Sequence, residues 1–575
     1  MTKGLLQVVV AALILVGGIG VVHAQSADLS NKTCLSCHGQ ADFSKKLADG
    51  QTQSLFVAGD HFANSLHGKF QCTDCHTGIT AIPHTNPATP AAAWRQEASK
   101  ICGTCHTKEL RDYQSSPHGK QVTSGSNVYA AVCTDCHTAH AIGPASGLTT
   151  RLAITKACSA CHTDAAASYE ETYHGQMFAL GYVNVAMCAD CHRGHAILPV
   201  SDPSSSVAPA NRLATCRTCH AQATAGFVSF NAHAMTHDFA RYPYMYVTAK
   251  FMFWLVLLTL AAVWFHSALW LYAELRDRLL KRPRPHVRAT ALPVLEMKQV
   301  ERWTPGWRLT HLVFAISVIV LVATGIPLLY PHSAWAPLLD AALGGSEIRP
   351  IVHRVAAIVM LAIFAGHVIY VAVYLARNWK TVRLFGPYSM LPTLQDLHDL
   401  VAMGKWFAGL GPRPLFDHWN YQQKFDYWGV FWGVSLLAVT GFMLWFKDLT
   451  MAFLPGFLIG PATLAHGHEC ILAAVYLFTI HYFVNHWRPD KFPLDIVIFT
   501  GSMPVEEFKR EFGAEYDRLV EAGELKDYLV QAPSRPMTIS STILGFSLIL
   551  VSLILLVFIF NGGFHEAYML WFSSR

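Results

Sequence analysis

Strong charge of one sign is missing from this sequence. Its 43 Lys and Arg stand against 38 Asp and Glu, a formal net charge of +5 over 575 residues. The basic residues cluster between apolar segments, so a nucleic-acid partner gains no support. Cysteines standing alone are almost missing as well. Of the fifteen present, all but Cys470 form pairs separated by two residues, and each pair is followed at once by histidine. That spacing rejects a disulfide framework, the ordinary reading of many cysteines in an exported chain. Cys470 lies in an apolar stretch and reads as a small buried hydrophobe. What the chain has in excess is apolar residues, 52% of the total, with a mean hydropathy of +0.29. A membrane portion is therefore expected, and the length is too great for one ordinary domain.

The N-terminus reads as an export signal over residues 1–24. Lys3 precedes an apolar run from Leu5 to Val22, and Val22-His23-Ala24 is a small-residue cleavage site before Gln25. The cysteine-bearing stretch then lies outside the cytoplasm. Its seven motifs are Cys34-Leu-Ser-Cys37-His38, Cys72-Thr-Asp-Cys75-His76, Cys102-Gly-Thr-Cys105-His106, Cys133-Thr-Asp-Cys136-His137, Cys158-Ser-Ala-Cys161-His162, Cys188-Ala-Asp-Cys191-His192 and Cys216-Arg-Thr-Cys219-His220. Two cysteines at this spacing form thioethers to one haem, and the adjacent histidine reaches the iron. A zinc site explains no histidine after every second cysteine. Seven covalent haems c are expected.

The second axial ligands follow from an internal repeat. Each unit opens with His-Gly, continues with Cys-x-Asp-Cys-His and a trailing histidine, and closes with a second Cys-x-x-Cys-His. The openers are His67, His118 and His174, and the trailing residues are His84, His140 and His195. His118 and His174 each follow the preceding haem histidine by twelve residues, and His233 follows His220 at nearly that distance, as the start of a truncated fourth unit. Seven distal candidates thus serve seven irons. With both axial positions filled and no lysine variant of the motif, the region reads as a wire rather than a catalyst.

From Tyr244 onward six segments are apolar and long enough to span a bilayer, at about 245–272, 308–330, 351–375, 428–447, 463–486 and 539–560. Arg276, Arg278, Lys281, Arg282, Arg284 and Arg288 follow the first. Arg377, Lys380 and Arg383 follow the third, and Arg488, Lys491, Lys509 and Arg510 the fifth. By the positive-inside rule these loops are cytoplasmic, which agrees with the export signal. The chain divides accordingly into a signal (1–24), a cytochrome c domain (25–243), a first span with basic linker (244–290), a four-helix domain (291–500), a cytoplasmic segment (501–538) and a last span with tail (539–575).

Histidines inside spans read as functional. They are His266, His311, His353, His367, His466 and His481. His353 and His367 are fourteen residues apart, His466 and His481 fifteen, so each pair is about 21 to 22 Å apart along its helix and returns to nearly one face, as two stacked haems require. By depth, His353 and His466 share an outer haem. His481 shares the other level with His311, His367 and His266, and depth does not choose among them.

Arg308-Leu-Thr-His311 with Thr324-Gly325 resembles the first helix of the cytochrome b subunits of formate dehydrogenase and nickel-iron hydrogenase. His353-Arg354, Phe425-Asp426-Tyr427-Trp428, His466-Gly-His-Glu469 and His486-Trp-Arg488-Pro489 resemble the related cytochrome b halves fused to multihaem cytochromes c, the Cbc-type inner-membrane proteins of anaerobic respiration. The resemblance implies two non-covalent haems b, with His311 paired to His481 and His353 to His466. It leaves His367 and His266 without counterparts, as quinone-site residues, packing residues or ligands of a further haem. It also implies a bacterial inner-membrane location, membrane lipid and menaquinone or another quinone as partners, and a periplasmic cytochrome or other carrier at the far end. His486 and Arg488 are the expected quinone residues.

The expected fold is a loop-rich, mainly α multihaem cytochrome c domain joined to an all-α transmembrane bundle. The expected function is quinol-linked electron transfer. The alternatives are a quinol-linked periplasmic oxyanion reductase and a membrane subunit of a larger respiratory complex.

Overall fold

The structure, a computed structural model, describes residues 28–46, 50, 52–84, 91–127, 129–182, 184–280 and 298–573. The export-signal reading and the basic residues from Lys281 to Arg288 lie outside them. The chain forms two compact units: one runs up to Cys161 and includes Cys188–Ala208, and the other comprises His162–Met187 and everything from Pro209.

The first unit is built of short helices and loops, with a hairpin of β1 (Ser44–Lys46) and β2 (Thr52–Ser54). Each haem-attachment motif sits on a helix or at its end, as in Asn31–His38, Cys72–Cys75, Cys133–His137 and Cys188–His192. The Asp in Cys-x-Asp-Cys has a structural reason. Its carboxylate accepts from the backbone N–H just before the helix, Asp74 from Gln71 at 2.8 Å and Asp135 from Val132 at 2.7 Å, which satisfies a donor the helix leaves free. Asp135 and Asp190 each also take an arginine, Arg95 at 2.6 Å and Arg151 at 2.7 Å.

The second unit contains six helices long and apolar enough to cross a membrane. They are α1 (Pro243–Leu279), α2 (Pro305–Leu329), α3 (Gly345–Asn378), α4 (Tyr421–Trp445), α5 (Gly456–Trp487) and α6 (Arg535–His565). Proline in the first turn starts α1 and α2, where its missing N–H costs nothing. A reciprocal cap starts α4: Asn420 Oδ1 accepts from Gln423 N at 2.9 Å, and Gln423 Oε1 from Asn420 N at 3.1 Å. This places the start of α4 earlier than the apolar run alone suggests. Val322 and Ile326 of α2, Val475 and Phe478 of α5, and Leu555 and Ile559 of α6 form the buried core of the bundle. Cys470 lies against it.

Beyond one end of the bundle is a small module that hydropathy does not reveal. Strand β3 (Lys298–Glu301) lies between β4 (Ser502–Pro504) and β5 (Leu529–Gln531), antiparallel to both. Val300, Met503, Phe508, Tyr516 and Leu519 fill its core. The module therefore joins residues that the sequence reading divides between the linker-side domain and the segment 501–538. At the bundle's other end sit the cysteine-bearing segments of this unit. Tyr182 is hydrogen-bonded to Asp340, and its hydroxyl accepts from Ser346 N at 2.9 Å. Thr224 donates to the Met451 carbonyl at 2.8 Å.

Candidate metal centres

The histidines meet in facing pairs. In the first unit the ring centroids of His38 and His84 are 6.2 Å apart, His67 and His106 6.0 Å, His76 and His140 6.3 Å, and His137 and His195 6.0 Å. In the second, His174 and His220 are 6.2 Å apart. Two imidazole nitrogens each about 2 Å from one metal ion put their ring centroids roughly 6 Å apart, so these residues fit a six-coordinate iron with imidazole on both sides. The pairs follow a rule that spacing alone does not give. Each trailing histidine faces the haem histidine of an earlier motif, whereas the openers His67 and His174 face the closing haem histidine of their own unit. Of the other candidates, His118 and His192 belong to the first unit, and His162 and His233 to the second.

The partner of each ring's second nitrogen fixes its direction. His38 Nδ1 lies 2.8 Å from the Leu55 carbonyl, and His233 Nδ1 lies 3.1 Å from the Ala165 carbonyl, so in each ring Nδ1 is the nitrogen held by the backbone. The openers are held by caps. Ser116 and Thr172 hydroxyls accept from Gly119 N and Gly175 N, each at 3.2 Å, at the start of the helices that carry His118 and His174. The glycine is required sterically: a Cβ at Gly68, Gly119 or Gly175 would collide with the carbonyl oxygen of Ala63, Tyr113 or Tyr169.

The cysteines add a second level of order. The first cysteines of neighbouring motifs touch, Cys34 with Cys72, Cys102 with Cys133, and Cys158 with Cys188. Haems anchored at these cysteines would form close couples.

Within the bundle two more pairs have the same geometry. His311 of α2 and His481 of α5 are 6.4 Å apart, as are His353 of α3 and His466 of α5. Depth alone left three candidates opposite His481, and the structure brings His311 to it. His353 Nδ1 lies 2.8 Å from Thr324 Oγ1, and His466 Nδ1 2.9 Å from Thr440 Oγ1. Each threonine hydroxyl donates to a carbonyl one turn back, Thr324 to Val320 and Thr440 to Leu436, both at 2.7 Å, and so is set to accept from the ring. Thr440 was not singled out from the sequence; its signal is the Thr-Gly dipeptide it shares with Thr324-Gly325. On α5 the stretch Tyr476–His481 is π-helical, which takes up one residue and explains why fifteen residues on α5 do the work of fourteen on α3.

His367 and His266 are placed elsewhere. His367 Nε2 lies 2.9 Å from Tyr427 Oη, with Trp307 and Phe431 against its ring. His266 Nε2 lies 2.6 Å from Tyr421 Oη. In this arrangement the Nε2 of each is engaged by a tyrosine hydroxyl rather than turned to a second imidazole. His486 and Arg488, expected at a quinone site, are both buried. Arg488 is 1% exposed, its guanidinium donating to Glu511 at 2.9 Å and lying over the Trp270 ring. That is a packed ion pair at the junction with the strand module.

A sequence family described as cytochrome c7 and related cytochrome c matches residues 56–138, the stretch that holds the second to fourth motifs with His67, His84 and His118. No curated protein and no solved structure matches the chain. The matched family, the seven attachment motifs and the six apolar helices together make this a membrane electron-transfer protein with covalently bound haem c.

Proposed function

We propose that this membrane electron-transfer protein carries electrons between a quinone dissolved in the bilayer and a periplasmic one-electron carrier, through two haems b in the bundle and seven haems c outside it. His353 with His466 would hold the haem b nearer the cytochrome c segments, and His311 with His481 the farther one. The basic loops at the far end argue for a cytoplasmic location there, with the cysteine-bearing segments in the periplasm of a bacterial inner membrane.

The observation that carries this reading is a continuous chain of contacts between the two kinds of candidate centre. His174, opposite His220, lies on the short helix Tyr173–Ala179. On that helix Met177 Sδ is 3.7 Å from the Arg349 guanidinium, which is paired to Asp340 at 2.5 Å and donates to the Thr324 carbonyl at 3.0 Å. Thr324 in turn holds His353. The last haem c and the nearer haem b are thereby kept in fixed relation by buried polar contacts rather than by a flexible linker.

Oxidation of one quinol breaks two O–H bonds and releases two protons. Its two electrons leave singly through the haems, and two equivalents of the periplasmic carrier are reduced. In the five attachment sites whose histidine faces a second imidazole, both axial positions are taken, which supports conduction over reduction of an oxyanion. The experiment is ligand removal. His353→Ala and His466→Ala should each abolish the same haem b signal in a redox-resolved spectrum while leaving the c-type spectrum intact. Loss of different haems in the two variants would overturn the assignment.

A further inference from the structure

The helix pairs α2–α3 and α4–α5 carry the same marks at the same intervals. From His311 to Thr324-Gly325, and from Tyr427 to Thr440-Gly441, is thirteen residues. Each threonine holds a histidine of the following helix, His353 or His466. His367 follows His353 by fourteen residues and His481 follows His466 by fifteen, the odd residue being taken up by the π-helical stretch Tyr476–His481. The two halves are thus related by an approximate twofold repeat. It maps His353 onto His466, which face each other, and it maps the facing pair His311 and His481 onto Tyr427 and His367.

The mate position has the depth and polarity of the histidine pair but a tyrosine in place of one histidine. Tyr427 stands where its counterpart has His311, and it meets His367 directly at 2.9 Å. Rings surround the pair: Trp307 at 5.5 Å and Phe431 at 6.0 Å from His367, with Phe364 against Phe431. His367 Nδ1 is buried and has no hydrogen-bond partner, a condition that normally marks a place for a ligand or costs stability. Tyr370 and Trp428, beside the pair, are exposed on the apolar face of the bundle, so a molecule dissolved in lipid reaches it sideways. The site also touches the environment of the farther histidine pair at two points. Trp307 is one turn before His311 on α2, and Asp426, adjacent to Tyr427, lies 3.3 Å from His481 Nδ1.

We propose that this position, the structural mate of a haem site, binds the headgroup of a membrane quinone, with His367 and Tyr427 supplying the polar contacts to its oxygens. The proposal rests on the quinol reading above and moves the site away from His486 and Arg488. The surrounding aromatic rings suit a flat, fused or substituted ring, and the lipid-facing side suits its isoprenoid tail.

The test uses the full-length holoprotein in detergent and 2-heptyl-4-hydroxyquinoline N-oxide, whose fluorescence is quenched on binding. His367→Ala and Tyr427→Phe should each weaken binding of this probe roughly tenfold, the loss of about one hydrogen bond to the headgroup. Both variants should retain the full content of haems b and c with unchanged reduced spectra. If the probe binds the wild type and both variants equally, the site is wrong while the quinol reading stands. If it does not bind the wild type, both fall. If His367→Ala loses a haem b, His367 is a ligand and the proposal is overturned.

Discussion

The hydroxyls of Thr324 and Thr440 would act on the proposed haem b at His353 and His466 without touching its iron. Each fixes the ring of one histidine of a facing pair, and such outer contacts are typically worth about 10- to 100-fold in metal affinity. Thr440→Val should therefore leave His466 in place but weaken retention of one haem b by about tenfold or more, measured as haem lost on dilution into haem-binding apoprotein. Retention equal to the wild type would mean that the ring is held by packing alone. At this scale the sequence is read easily where covalent chemistry dictates spacing, as at Cys72-Thr-Asp-Cys75-His76. It is read poorly where the partner is a hydroxyl or a carbonyl, since Thr440 and the Leu55 carbonyl look like any others until the fold brings them to His466 and His38. His486 and Arg488 are legible as residue types but not in their surroundings. Their residue types suit a quinone or a propionate, but Glu511 and Trp270, distant in sequence, enclose Arg488.

Among the elements, α5 and the strand module hold what periodicity does not disclose. A helical wheel leaves His466 and His481 about 60° apart at 3.6 residues per turn; the π-helical stretch removes the discrepancy. Deletion of Leu477 should convert that stretch to regular α-helix with fourteen residues between the histidines, as on α3, and both haems b should remain in the reduced spectrum. Loss of the haem at His311 and His481 would show that the π geometry itself is needed. The strand module was hidden because β3, β4 and β5 are three or four residues each and β3 lies some two hundred residues from the other two in the chain. Its junction with α5 is ionic. Lys491 lies 3.0 Å from Glu511 and 2.5 Å from Asp495, and Arg488 2.9 Å from Glu511. Burial pushes the Glu511 carboxyl up, but Arg488, Lys491 and Arg413 outweigh it and hold the group at about 2, below its ordinary 4.5. A carboxyl lowered in this way contributes its stabilisation fully above its ordinary value and loses it as pH falls toward 2. Glu511→Gln should cost about 3 to 5 kcal/mol by leaving buried cations unpaired, and should remove that part of the acid sensitivity. Thermal unfolding followed between pH 7 and pH 3 checks both, and an unchanged profile would contradict the ion-pair account.

For the whole molecule, the organisation into a half bearing covalent haem and a bundle of apolar helices was legible from cysteine spacing and apolar length. The pairings among the repeat histidines were not, because a histidine such as His84 finds His38 only through the fold, in the reverse of chain order. The expected stoichiometry follows from the seven attachment motifs and the two histidine pairs of the bundle. Acid-acetone extraction should release two haems b per chain and leave seven haems c attached to the polypeptide; a ratio far from seven to two would contradict the ligand assignment. On the proposed function, the contact chain from Met177 through Arg349 and Thr324 to His353 ties the bundle to the last haem c, so the order of reduction is itself diagnostic. The most direct measurement is anaerobic stopped-flow mixing of the purified full-length protein with a menaquinol analogue, following the b-type and c-type α-bands separately. The account predicts that the b-type band rises first and the c-type band follows with the same total of two electrons per quinol. Reduction of the c-type haems without prior reduction of the b-type, or no reduction of either, would contradict it.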